Sequence, residues 1–188
     1  MRKIALIFGL ICIQTTAQAA PATYALEPEN STVGFETDFG IDKITGRMPV
    51  TRADLTLDFD KVAASKIAVT LNVAGADASF PFAAQALKGP KVLDSGQFPT
   101  MTFTSTSVRA KGAGAVVQGM LTIRGIAKPV TMQAEIFRQK GYQEGDLSHL
   151  TIRLRGAVNR SDFGATGWSD MVGDQVRLDI LARIARVD

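Results

Sequence analysis

Gly119-Met120-Leu121-Thr122-Ile123-Arg124-Gly125-Ile126-Ala127-Lys128-Pro129-Val130-Thr131-Met132-Gln133-Ala134-Glu135-Ile136 reads as a long β-hairpin. Gly119, Leu121 and Ile123 share one face before the turn. Val130, Met132, Ala134 and Ile136 do so after it, while Thr131, Gln133 and Glu135 point the other way. A period of two marks strands with one dry and one wet face. Residues 124–129 supply the reversal. Gly125 is free to take positive φ, and Pro129 cannot donate to a ladder, so pairing is expected to resume only after the proline. Two such strands need neighbours for their apolar face.

Working outward, the same alternation recurs. Residues 24–28 read as a short extended lead-in, and Glu29-Asn30-Ser31 has turn chemistry before a strand at 32–39 with Val33, Phe35 and Phe39 opposite Glu36 and Asp38. Residues 50–60 set Leu55, Leu57 and Phe59 against Thr56, Asp58 and Asp60, and Ile67, Val69, Leu71 and Val73 continue the pattern. Between residues 79 and 94 the period changes. Phe80, Ala83, Ala84 and Leu87 fall at helical spacing in an alanine-rich stretch that Gly89-Pro90 stops. A Thr/Ser-rich strand at 101–109 follows, turned by residues 111–114 into the opening hairpin. Leu150, Ile152 and Leu154 alternate with Thr151, Arg153 and Arg155. The last strand, at 176–187, sets Val176, Leu178, Ile180 and Ile184 against Arg177, Asp179 and Arg183.

About eight long strands with one short helical insertion and no βαβ alternation predict an all-β antiparallel barrel or sandwich. Strands of roughly ten residues suit tilted staves, and ~8 staves enclose an interior wide enough for one small ligand. A membrane-spanning barrel is excluded by the second face, because lipid would not tolerate Asp58, Asp60, Arg153, Arg155, Asp179 and Arg183.

Residues 1–19 have the order of a secretory signal peptide: Arg2 and Lys3, an apolar run from Ile4 to Ile13, then Ala17-Gln18-Ala19. About ten apolar residues are too few to span a bilayer. The expected division is a signal peptide at 1–19, cleaved near Ala19, and one barrel domain at 20–188 that is periplasmic and soluble. Cys12, the single cysteine, follows Ile11 where a lipobox has a small residue, so it leaves with the signal and no disulfide or thiolate remains. The 21 basic and 18 acidic residues of the whole chain approach balance once Arg2 and Lys3 are gone. No nucleic-acid footprint is implied.

Chemistry-bearing constellations are scarce. His149 is the sole histidine, beside a strand start with no nucleophile motif nearby, and reads as an exposed loop imidazole. Gly112-Ala113-Gly114 meets Val117 where a dinucleotide fingerprint needs its third glycine, and reads as a turn. Asp162, Asp170 and Asp174 fit no EF-hand spacing and read as turn or capping residues. In Asn159-Arg160-Ser161-Asp162-Phe163-Gly164, local side-chain to backbone bonding is expected, with Arg160 pairing a carboxylate. The chain is read as no enzyme, with no catalytic residue, metal ligand or cofactor.

The chain resembles the YceI-like family of periplasmic lipid- and polyisoprenoid-binding proteins. The resemblance rests on Tyr24, Pro28, Ser31, Val33, Phe35 and Gly46, then on Leu93-Asp94-Ser95, Phe98-Pro99-Thr100 and Thr102-Phe103-Thr104-Ser105. Gly119, Leu121-Thr122, Gly125, Lys128-Pro129-Val130-Thr131, the 159–164 stretch and Val172-Gly173-Asp174 complete it. It implies a lipocalin-like barrel holding a polyisoprenoid, isoprenoid quinone or fatty amide inside. Phe80, Phe82 and Leu87 from the helix, Phe103 from its strand, and Leu121, Ile123, Val130 and Met132 from the hairpin are the expected ligand-binding residues. The expected partner is a long-chain isoprenoid or other apolar lipid, with transient membrane contact and a dimer left open. The chain departs from the family where members commonly carry histidines, here Glu29-Asn30 and Asp38-Phe39, and where they carry an Arg-Asp-x-His-Leu-like stretch, here residues 82–87. Head-group chemistry therefore does not carry over. The competing expectation is a periplasmic stress or interaction protein whose barrel is filled by its own side chains.

Overall fold

The computed structural model describes residues 21–187. The expected signal peptide lies outside the described residues. Among those residues the elements run β1 (Ala22–Leu26), β2 (Thr32–Phe39), β3 (Asp42–Arg47), β4 (Val50–Leu57), β5 (Lys66–Asn72), β6 (Asp77–Ala78), α1 (Pro81–Lys88), β7 (Thr100–Lys111), β8 (Gly114–Ile123), β9 (Ile126–Arg138), β10 (His149–Asn159) and β11 (Val172–Val187). The order β1-β4-β5-β7-β8-β9-β10-β11 closes on itself through a β1–β11 pairing, so eight antiparallel strands form a barrel. Closure leaves the ring no free edge.

The long strand β11 makes the closure work. Its last residues, Ile184 to Val187, pair with β1, and Val172 to Leu181 pair with β2. β1 and β2 therefore lie end to end along one stave, separated by a single turn of 3-10 helix at Pro28–Asn30. Ser31 secures the break by donating to the Glu27 carbonyl (2.7 Å) and accepting from the Arg183 amide (3.0 Å). β3 and the two-residue β6 extend the sheet beyond β2, so one end of the barrel carries an extra flap. The sequence does not mark β3 or β6, because Ile44 is the only large apolar side chain in Asp42–Arg47 and one residue makes no alternation.

The hairpin turns more tightly than its proline suggests. Arg124 and Gly125 alone form the turn, at φ 51° and 72°, and two successive positive φ values match the twist of a two-residue hairpin. Pairing begins at Ile123 opposite Ile126 and runs straight through Met120 opposite Pro129. Pro129 is tolerated because the ladder to β10 ends at Met132 opposite Gly156, so beyond that point no strand on that side requires its missing N–H. The helix spans Pro81–Lys88 with proline in its first turn and stops at Gly89-Pro90 as its sequence indicates. Ser95 satisfies its end, its amide and hydroxyl both donating to the Lys88 carbonyl (3.0 and 3.1 Å).

Asp58 belongs to the interior rather than the wet face. It is 5% exposed, and its carboxylate accepts from the Asp60 and Lys61 amides at the β4–β5 turn. Arg153, Arg155, Asp179 and Arg177 do lie outside, where Arg153 pairs Asp179 and Arg177 pairs Glu36 and Asp38.

Candidate functional site: an apolar cavity in the barrel

The buried apolar residues form separate clusters along the wall. One joins Phe103, Val117, Leu121, Val130 and Met132 to Phe163. Another packs Tyr24, Leu55, Leu57, Leu150 and Ile184, with the Tyr24 hydroxyl donating to the Leu147 carbonyl at 2.9 Å. Burial pushes the Tyr24 phenol up, so it stays a neutral donor. A third cluster, Met48, Val73, Ala76, Leu93 and Met101, lies behind α1. An ordinary domain of this size has one contiguous core. Here the clusters surround an interior space of about 380 Å³, toward the lower end of the ~300–1,000 Å³ of small-molecule sites.

All eight expected residues border that space. Phe103 reaches it from β7, Leu121 and Ile123 from β8, and Val130 and Met132 from β9. Alternation along each strand turns these residues inward together. Phe80, at the N-cap of α1, and Phe82 and Leu87, on the helix itself, stand at one end. Phe82 is 66% exposed, so it occupies the mouth rather than the interior. Sequence reasoning missed Trp168 and Met171, which border the same cavity from the loop before β11. Each is an isolated apolar residue in a polar loop, and no periodicity marks it. Phe35, Ile44 and Leu178 border the cavity as well; Phe35 and Leu178 were legible as inward residues of their strands.

The hydroxyl, carboxylate and guanidinium side chains that border the cavity are already engaged with backbone. Ser31 makes the two bonds described above. Thr37 donates toward the Gly173 and Gln175 carbonyls, both at 3.0 Å, and Ser65 accepts from the Asp58 amide at 3.0 Å. Arg160 is 8% exposed and donates to four carbonyls: Ala165 (2.6 Å), Gly167 (2.7 Å), Val172 (2.9 Å) and Gly173 (3.0 Å). Burial pushes its guanidinium down, against a smaller opposing pull from Asp174. Carbonyls rather than the expected carboxylate thus satisfy Arg160. Asp174 instead accepts from the Ser161 amide and hydroxyl (2.9 and 2.8 Å). The 159–164 stretch is a staple that pins the loop carrying Trp168 and Met171 to the barrel end.

His149 is not an exposed loop imidazole. It is the half-buried first residue of β10, stacked on Tyr142 with ring centroids 4.4 Å apart and its Nδ1 3.1 Å from the Ser148 hydroxyl. Among the described residues, no group of three or more His, Cys, Asp or Glu side chains is placed to hold a metal ion, and no helix is long and apolar enough to cross a membrane.

Residues 24–184 match the model of the YceI-like domain. A UPF0312 protein of Pseudomonas paraeruginosa is 30% identical over 158 residues, covering 80% of this chain and 83% of its own length. The YceI protein of Salmonella arizonae is 29% identical over 170 residues, covering 88% of each chain. Among solved structures, BcnA of Burkholderia cenocepacia superposes with a TM-score of 0.75 at 23% identity, covering 85% of this chain and 99% of that one. At that identity the likeness shows the fold alone. The barrel and its relatives fit a binding or carrier role, and the chain belongs to the YceI-like family.

Proposed function

We propose that the protein is a periplasmic carrier of a long-chain apolar lipid, a polyisoprenoid, isoprenoid quinone or fatty amide, with the apolar chain in the barrel and any polar head left in water at the mouth. The supporting observation is an interior of aliphatic and aromatic side chains whose polar neighbours are committed to backbone partners. Such a surface rewards apolar area and shape and offers little to a head group. Phe80, Phe82, Leu87, Phe103, Leu121, Ile123, Val130 and Met132 are the proposed contacts. A chain longer than the cavity leaves its remainder at the mouth.

Burial of one five-carbon isoprene unit from water is worth up to ~4 kcal/mol at ~0.8 kcal/mol per CH₂. The ligand would come from a bilayer that is equally apolar, so the net transfer is small and the protein suits exchange better than storage. Native mass spectrometry of protein purified without detergent tests this reading. A retained lipid mass, or uptake of a hydrophobic probe by the stripped protein, supports it; an empty barrel that takes up no probe overturns it. Export after cleavage near Ala19 belongs to the same reading, and N-terminal sequencing that found Met1 on periplasmic protein would remove it.

A further inference from the structure

Three of the most exposed apolar side chains come from three separate segments at one end of the barrel: Phe82 and Met171 border the cavity, and Ile41 follows Gly40, which bonds to Met171. Ile41, in the β2–β3 turn, is fully exposed; Phe82, in the first turn of α1, is 66% exposed; Met171, before β11, is 49% exposed. The Gly40 amide donates to the Met171 carbonyl at 3.2 Å, joining the turn to the loop. Phe82 meets Trp168 edge-on, with ring centroids 6.5 Å apart, and Phe39 meets Phe80 at 6.1 Å. Phe82, Trp168 and Met171 also border the interior, so that part of the rim is continuous with the apolar cavity, and Ile41 stands outside it.

Trp168 sits at φ 54°, a left-handed conformation unfavourable for a bulky residue that persists only where surrounding structure enforces it, often at functional sites. Its carbonyl accepts from the Met171 and Val172 amides (3.1 and 2.8 Å), and the neighbouring Gly167 amide donates to the Lys91 carbonyl at 2.8 Å. The Lys91 ammonium lies 5.8 Å above the indole. Tryptophan and long-stemmed lysine are each favoured where protein meets the water–lipid boundary, since both present an apolar body and a polar tip.

We infer that this rim, Ile41, Phe82, Trp168 and Met171, docks the barrel mouth onto a lipid bilayer, so that an apolar chain passes between membrane and cavity without crossing water. The inference rests on the carrier reading for its purpose and on the rim geometry for its place. A second protein copy is the poorer occupant: tips exposed to this extent amount to on the order of a few hundred Å², short of the ~800 Å² per partner of a stable protein interface. Asp42 and Asp170 adjoin Ile41 and Met171 in the chain, and Lys91 lies over Trp168, so insertion of apolar tips rather than net charge must supply the attraction.

Trp168 is the only tryptophan in the chain, which places an intrinsic reporter on the proposed surface. The mature protein is mixed with phosphatidylethanolamine–phosphatidylglycerol vesicles, with and without brominated acyl chains. The expected result is a saturable blue shift of Trp168 emission and quenching by the brominated lipid. Ile41→Asp and Phe82→Asp should each weaken vesicle binding by about tenfold, while Phe137→Asp, on the wall toward the other end of β9, leaves it unchanged. Absence of quenching in the parent protein, an equal loss in Phe137→Asp, or self-association through the rim in sedimentation overturns the inference. Uptake of N-phenylnaphthylamine from water, measured on the same samples, separates the two readings. Probe uptake without Trp168 quenching leaves the carrier and removes the docking surface, and quenching without probe uptake does the reverse.

Discussion

Replacing Met132 with tryptophan asks whether the barrel is hollow or filled by its own side chains. Met132 is 5% exposed, lies opposite Gly156 on β10 and borders the cavity. Its Cγ stands 3.0 Å from the point where a Cβ on Gly156 would sit, so the methionine already covers the space the glycine leaves. An indole at this position has one direction in which to grow, away from the wall and into the cavity. In a packed core the added volume would cost ~1–3 kcal/mol; beside a space of about 380 Å³ the expected loss is under ~1 kcal/mol. Ligand should suffer more than the fold. If the ring displaces three methylenes of bound chain at ~0.8 kcal/mol each, uptake from water weakens by ~2.4 kcal/mol, on the order of fifty-fold. Urea denaturation followed by circular dichroism, paired with titration of a fluorescent fatty probe, measures both quantities on one variant. A stability loss above ~2 kcal/mol in a protein whose parent binds no probe would refute the hollow barrel. Unchanged uptake with unchanged stability would remove Met132 from the binding surface.

Gly119→Ala tests the wall from the other side. The added Cβ would stand 2.5 Å from Cε2 and Cζ of Phe103 and from the Thr104 carbonyl, against a carbon–carbon optimum of ~3.5–4.0 Å, so the ring must swing into the cavity and the β7 backbone must shift as well. Denaturation should show a loss of ~1–3 kcal/mol, and probe uptake should fall with it. Arg160→Leu leaves four carbonyls without their donor; the expected cost is ~2–4 kcal/mol, below the sum of four bonds because an opened loop admits water. A red shift of Trp168 emission should report that opening, and an unshifted spectrum would show that the loop is held by other contacts. Acid should weaken the wall beside the mouth. Bonds from Lys43 and then Arg177 hold the Glu36 carboxyl below its ordinary 4.5, and Arg177 holds Asp38 below 3.8. Depressed carboxylates stabilise the fold above these ordinary values, and their contribution is lost as pH falls through the lower folded values. Melting temperature should therefore drop below about pH 4, and Arg177→Met should flatten that part of the profile; an equally steep profile in the variant would assign the acid sensitivity elsewhere.

The staves were legible because their signal is local. Leu121, Ile123, Val130 and Met132 face inward by period alone, and the same holds for Val176, Leu178, Ile180 and Ile184 on β11. The closure was not legible, because it depends on register between distant segments: nothing in residues 22–26 says that they pair with 184–187 beside β4. The turn at Arg124-Gly125 is tighter than the proline at 129 suggests. A proline bars pairing only on the side its nitrogen faces, and there β10 has already ended.

The mouth was the least legible part, and physics gives the reason. Ile41, Trp168 and Met171 are single apolar residues in polar loops, carrying no period. They become a surface only when the Gly40–Met171 hydrogen bond and the Arg160 staple bring the loops to one end of the barrel. Asp38-Phe39 and residues 82–87 lie at the same end: Phe39 packs on Phe80, and Phe82 on Trp168. Substitution there leaves the apolar walls of β7, β8 and β9 untouched. If the barrel carries a lipid as proposed, an interior whose hydroxyl, carboxylate and guanidinium groups are bonded to backbone has little means of choosing among long apolar chains except by length and girth, and discrimination by head group falls to the mouth. Exchanging the 82–87 stretch for a polar one should then change which head groups are accepted at the rim while the depth to which a chain enters, set by Met132 and Phe103, stays the same.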